Sequence, residues 1–206
     1  MSYAFGGDQV AQPAVEAIRK ETCELSLAKQ HLGLWTDRGI ADTSCALHSI
    51  GMTYWNLMGT MFGFDAIAEM PAPVEGAYGF VGDDVRNDSA WFSPRSERPS
   101  VIVEFERYSG QSDEGKLSGK VNSLLLAHHR WLTVPKTLIL AYWTKGLAAL
   151  PDHDALRRRA KQGFETSAKE RVTGASDADV LFFQFVMQSA DDTRWRLTQV
   201  IERGVQ

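Results

Sequence analysis

The octapeptide Val101-Ile-Val-Glu-Phe-Glu-Arg-Tyr108 constrains this chain more than any other segment. Its β-branched and aromatic residues mark a strand. Side chains alternate between the faces of a strand. Val101, Val103 and Phe105 therefore share one face, and Ile102, Glu104 and Glu106 share the other. Two carboxylates on one face among strongly β-forming residues are costly to bury without compensating charge. A hard divalent cation held by oxygen ligands supplies that compensation. Asp88 opens the preceding strand-like segment, Asp88-Ser-Ala-Trp-Phe92, with fifteen residues between it and Glu104. An antiparallel pairing of the two segments brings the start of one near the middle of the other.

The remaining pattern predicts the frame around this hairpin. Val10, Ala14, Ile18, Leu25 and Leu32 recur at helical intervals, so a helix is expected over 8–32, with Pro13 near its start. A second helix opens at Asp42 or Thr43 as N-cap and ends near Gly59, although Gly51 weakens it by about 1 kcal/mol relative to alanine. Phe64–Met70, bounded by Pro71 and Pro73, reads as a strand. Tyr78 to Phe80 leads into a polar turn that contains Asp83 and Asp84. A helix follows over 114–131, then a continuously apolar strand over 137–143 that suits the middle of a sheet. An exposed helix over 152–170 and closing strands over 180–187 and 195–201 complete the chain. The order ααβββαβαββ predicts an α/β fold, a mixed central β-sheet flanked by helices. We read 1–206 as one domain, with 1–60 an N-terminal helical pair and 61–206 the α/β core.

Composition narrows the setting. At 206 residues with 44% apolar content, the chain can bury a substantial core. Lys and Arg total 22 against 26 Asp and Glu, a net charge of -4, so there is no global basic footprint for nucleic acid. Local basic residues remain compatible with such binding. Cys23 and Cys45 lack metal-ligand spacing and suggest no disulfide framework. No signal-like N-terminus and no apolar run near the roughly 20 residues of a membrane span are seen, so we expect a cytoplasmic protein without a membrane partner.

Asn87-Asp-Ser-Ala-Trp-Phe92, the strand 101–108 and the lysine-bearing helix after it resemble the core of the PD-(D/E)xK nuclease superfamily over residues 60–145. That family places an Asp before one strand and an acidic-x-Lys element on the next. Here Asn87 stands where Pro is frequent, and Glu106 stands where Lys is usual. Some members carry Glu at that place, and in others the lysine migrates to the following helix, where this chain has Lys116 and Lys120. The resemblance implies a restriction-endonuclease-like core and a Mg²⁺-dependent endonuclease acting on DNA, with Mn²⁺ as substitute, in restriction or mobile-element defence. It implies that Asp88 and Glu104 bind the metal, that Glu106 completes the shell or accepts a proton from water, and that Lys120, ahead of Lys116, stabilises charge on the phosphate. Glu69 is an outer-ligand candidate. Arg95, Arg98 and Lys116 are candidates for DNA phosphates, and the basic run 156–161 for backbone contact. Nucleases of this class often dimerise, so the resemblance implies a homodimer, for which the first two helices are a candidate interface. The alternative is a catalytically degenerate nuclease-fold protein that binds or regulates, suggested by the displaced lysine. A third reading is an interaction protein whose acidic strand face meets a protein partner. His128 and His129 are adjacent and diverge by about 100° on a helix, so they do not chelate one ion easily. No phosphate-binding glycine loop or nucleophile elbow occurs.

Overall fold

The computed structural model describes residues 15–73 and 85–204. The turn residues Asp83 and Asp84, the Tyr78–Phe80 lead-in and the start of the first helix, with Val10, Pro13 and Ala14, lie outside the described residues. The fold is mixed α/β. Its sheet contains β1 (Ile40–Ala41), β2 (Asp65–Pro71), β3 (Arg86–Phe92), β4 (Pro99–Arg107), β5 (Thr137–Lys145), β8 (Asp179–Ser189) and β9 (Arg194–Arg203). A separate two-stranded hairpin is made of β6 (Phe164–Glu165) and β7 (Arg171–Val172). The sheet order is β1-β9-β8-β5-β4-β3-β2, which puts the apolar β5 in the middle, as its composition predicts. β4, β5 and β8 run parallel, while the β2–β3, β3–β4 and β8–β9 pairs are antiparallel.

Helices cover both faces. α1 (Val15–Glu24), α2 (Ser26–His31) and α3 (Ser44–Met61) pack one face, burying Trp35, Tyr54 and Trp55 against Val103, Phe105 and Phe185. α4 (Glu114–Arg130) and α5 (His153–Gln162) cover the other, where Leu117, Val121 and Leu124 meet Ile102, Leu138 and Leu140. The alternation read in β4 is realised: Val101, Val103 and Phe105 enter the α3-side core, and Ile102 the α4-side core.

Two elements differ from expectation. The first helix is split at Leu25, which takes a left-handed φ of 59°. That conformation costs about 1–2 kcal/mol for a non-glycine residue. Burial of the Leu25 side chain in the core offsets it, and the Glu21 carboxylate caps the new start by accepting from Leu27 N at 2.7 Å. The helix expected over 152–170 stops at Gln162. Gly163 has a φ of 74°, and a Cβ there would lie 2.0 Å from the Val172 carbonyl oxygen. The chain turns at this glycine into the β6–β7 hairpin instead of continuing as helix.

Candidate metal and phosphate site

The sheet opens where the chemistry collects. The β3–β4 ladder ends at Ser89–Val103. Beyond that point β3 stays paired with β2 as far as Arg86–Pro71, and β4 stays paired with β5 as far as Arg107–Trp143. A notch therefore forms between β3 and β4. Asp88 fills its base: the Phe105 amide donates to Asp88 Oδ2 at 2.6 Å, so a carboxylate replaces a strand carbonyl as its partner. Asp88 is 3% exposed and Glu104 is fully buried.

Side chains enter the notch from both faces of the sheet. From α4, Lys120 Nζ lies 2.6 Å from Glu104 Oε2 and 3.5 Å from Asp88 Oδ2. From α3, His48 Nε2 lies 3.4 Å from Asp88 Oδ1. Asn87 Nδ2 donates to Glu104 Oε1 at 3.0 Å, a bond that a proline at this place would not make. Both oxygens of Glu104 are thus engaged, one by Asn87 and one by Lys120. An open cleft of about 420 Å³ lies over the notch, lined by Cys45, His48, Glu69, Arg86, Asp88, Glu106, Arg107, Lys120 and Trp143.

The electrostatics follow from this packing. Burial pushes the Glu104 carboxyl up to about 8, helped by the neighbouring Asp88 charge and opposed by Lys120 and Asn87. Burial also works against an ionised Asp88, but the His48 hydrogen bond, the Lys120 charge and the Phe105 amide outweigh it and hold this carboxyl below its usual range. Burial likewise opposes the Lys120 ammonium, yet Glu104 and Asp88 raise its pKa. The hydrogen bond to Asp88 raises that of His48 against the opposing effect of burial.

His48, Glu69 and Asp88 each offer a ligand atom, and these atoms lie within 4.8 Å of one another. Glu69 stands on β2 between Ala68 and Met70, which pair with Ser89 and Asn87 across from it, and so it sits opposite Asp88. Its φ of 52° is in the left-handed region, a strained conformation for a glutamate. The donor chemistry suits a divalent cation: carboxylates from Asp88 and Glu69, an imidazole from His48, and Glu106 on the same cleft.

The structure thus brings together Asp88, Glu104, Glu106, Glu69 and Lys120 of the residues singled out by sequence. It separates the others. Lys116 is 57% exposed and pairs with Asp113 at 3.0 Å, one turn before Lys120 on α4 and outside the cleft lining. Arg95 and Arg98 do not lie beside the site. They occupy the β3–β4 turn, beyond the Phe92–Pro99 pair, while the carboxylates sit past the other end of the ladder. Asp88 and Phe92 alone are about 13 Å apart at the rise of a strand. The turn is at the closed end of the hairpin, and the chemistry is at its open end.

Sequence reasoning missed His48. Its placement depends on Gly51, three residues on, where a Cβ would lie 2.1 Å from Phe105 Cε1. The glycine lets α3 press onto β4, and this close approach carries His48 to Asp88. A glycine in mid-helix was the signal, legible as a close contact only once its partner strand is known. No family model, curated protein or solved structure matches the chain.

Proposed function

We propose that this protein is a divalent-metal-dependent endonuclease that hydrolyses phosphodiester bonds in DNA, built on a restriction-endonuclease-like core. The observation that carries the reading is Lys120: a helix lysine reaches two buried strand carboxylates at the opening of the sheet. An α/β order with an antiparallel pair feeding a helix and a parallel strand supports the same reading.

Asp88, His48 and Glu69 would hold the cation, and Glu104, engaged by Asn87 and Lys120, would border it beside Asp88. When bound, Mg²⁺ or Mn²⁺ polarises the scissile phosphate and lowers the pKa of a water ligand. The protein's own groups do the rest. Glu106 faces the cleft and accepts the proton of the attacking water. Lys120 offers its ammonium to the charge that develops on the phosphate oxygens. Asn87 and Lys120 hold Glu104 in place. The degenerate alternative, a nuclease fold that only binds or regulates, shares this frame but binds Mn²⁺ weakly or not at all and does not cut.

Calorimetric titration with Mn²⁺ separates the two. The nuclease reading predicts saturable binding by the wild-type protein and at least tenfold weaker binding by Asp88→Asn. Equal affinity in the two proteins, or no binding by either, argues against it.

A further inference from the structure

The cleft does not end at the carboxylates. A second, smaller cavity of about 110 Å³ adjoins it and shares Arg107 and Trp143 with it. Tyr108, Ser109, Lys145 and Ala149 complete this cavity. It lies at the carboxyl ends of the parallel strands β4 and β5, the edge where open α/β sheets hold ligands. Arg107 is three residues beyond Glu104, about 10 Å along the strand.

Arg107 is held as a cation with capacity to spare. Its guanidinium lies 5.1 Å from the centroid of the buried Trp143 ring, and its Nε donates to Ser109 Oγ at 2.8 Å. It forms no ion pair among the described residues. The remaining guanidinium N–H groups suit a phosphate oxygen. Next along this edge, Lys145 Nζ sits 4.5 Å from the centroid of the half-buried Trp195 ring. The opposing charges are Glu106 in the adjoining cleft, Asp42, which pairs with Lys145, and Asp113 and Glu114, which accept from Ser109 N and the Tyr108 hydroxyl and so have bonds of their own. Arg107 is therefore the main anchor, and Lys145 with Trp195 is the outer edge.

We propose that this cavity is a phosphate subsite for the flanking part of a single polynucleotide strand, holding the strand that runs away from the phosphodiester at Asp88. The proposal rests on the nuclease reading for its substrate class, and it adds a direction: the strand leaves the centre along the β4–β5 edge, not toward the β3–β4 turn.

The test is fluorescence anisotropy of a labelled single-stranded deoxyoligonucleotide of about twelve nucleotides, in EDTA, with Arg107→Ala, Arg107→Lys and Lys145→Gln. Arg107→Ala should weaken binding about tenfold and reduce the slope of log affinity against log salt by about one. Arg107→Lys should recover part of the loss, and Lys145→Gln should weaken binding two- to threefold. Melting curves verify folding, and the exposed Lys145 position reads the subsite even where Arg107→Ala unfolds. Wild-type affinity in both Arg107→Ala and Lys145→Gln, or no affinity in the wild type, overturns the proposal. Hydrolysis of bis(p-nitrophenyl) phosphate with Mn²⁺ reads the centre alone, because that ester has no flanking strand. Loss of its hydrolysis therefore counts against the nuclease reading, while the EDTA binding result judges the subsite separately.

Discussion

Lys120 Nζ stands 2.6 Å from Glu104 Oε2 at the end of a sheet pair whose hydrogen-bond ladder has already stopped. The side chain comes from α4, whereas the two carboxylates come from β3 and β4. The ammonium partly neutralises the carboxylate pair and, in the proposed function, is the cation that meets the phosphate. Lys120→Met is expected to lower kcat for phosphodiester cleavage by about 10²- to 10³-fold, the usual cost of losing one charge-stabilising donor. Mn²⁺ affinity should be kept or increased, since a competing cation is gone. Steady-state kinetics beside calorimetry checks both halves, and an active Lys120→Met enzyme removes the assigned role.

His48 is the nitrogen donor in the His48–Glu69–Asp88 group that could hold a cation. Imidazole favours transition metals, while Mg²⁺ prefers an all-oxygen shell. His48→Asn should therefore weaken Mn²⁺ binding several-fold more than Mg²⁺ binding. Parallel titrations with the two ions decide this, and equal losses for both would count against His48 as a ligand.

Two helix glycines should respond with opposite signs. At Gly51 a new Cβ meets the Phe105 ring at 2.1 Å, whereas at Gly119 nothing lies within 4 Å. Overpacking costs about 1–3 kcal/mol, against a gain of about 1 kcal/mol in helix propensity. Gly51→Ala should destabilise by up to about 2 kcal/mol and weaken Mn²⁺ binding by displacing His48. Gly119→Ala should stabilise by up to about 1 kcal/mol. Denaturant unfolding of the two variants provides the comparison.

Acid stability should depend on two histidines outside the site. His128 is buried, with its Nε2 3.5 Å from Asp177 Oδ1 and with Lys136 and His129 as its other charged neighbours. His153 shares a hydrogen bond with Tyr142 at 2.9 Å. Burial lowers the pKa of both, and nearby Arg203 and Arg157 lower that of His153 further. In each case the unfolded chain takes up a proton first. Their contribution is therefore complete above the ordinary histidine value of about 6.5 and is lost as pH falls below it. Unfolding free energies measured between pH 7.5 and 5 should decline, with a shallower decline in His128→Leu. An unchanged slope in that variant would contradict the assignment.

Much of the frame was legible because it is local. The two-residue alternation in β4 sends Ile102 to the α4 side and Val103 and Phe105 to the α3 side. The unbroken apolar run of β5 marks a central strand, and of the two helix lysines Lys120 reaches Glu104 while Lys116 pairs with Asp113. What escaped depends on distant contacts. Leu25 breaks a periodic helix because its burial offsets a left-handed backbone, and periodicity does not encode that exchange. Arg95 and Arg98 are close to the strands in sequence, but a hairpin has a closed and an open end, and only the ladder shows which end holds Asp88. His48 needed the fit of Gly51 against Phe105, between segments more than fifty residues apart.

The most direct test of the central claim is cleavage of plasmid and linear DNA by the purified protein with Mg²⁺ or Mn²⁺, beside the Asp88→Asn and Glu104→Gln variants. The account predicts metal-dependent cleavage by the wild type, abolished by EDTA and reduced at least a hundredfold in each variant. Cleavage that survives both substitutions, or a wild-type protein that binds neither ion and cuts neither DNA, would contradict it.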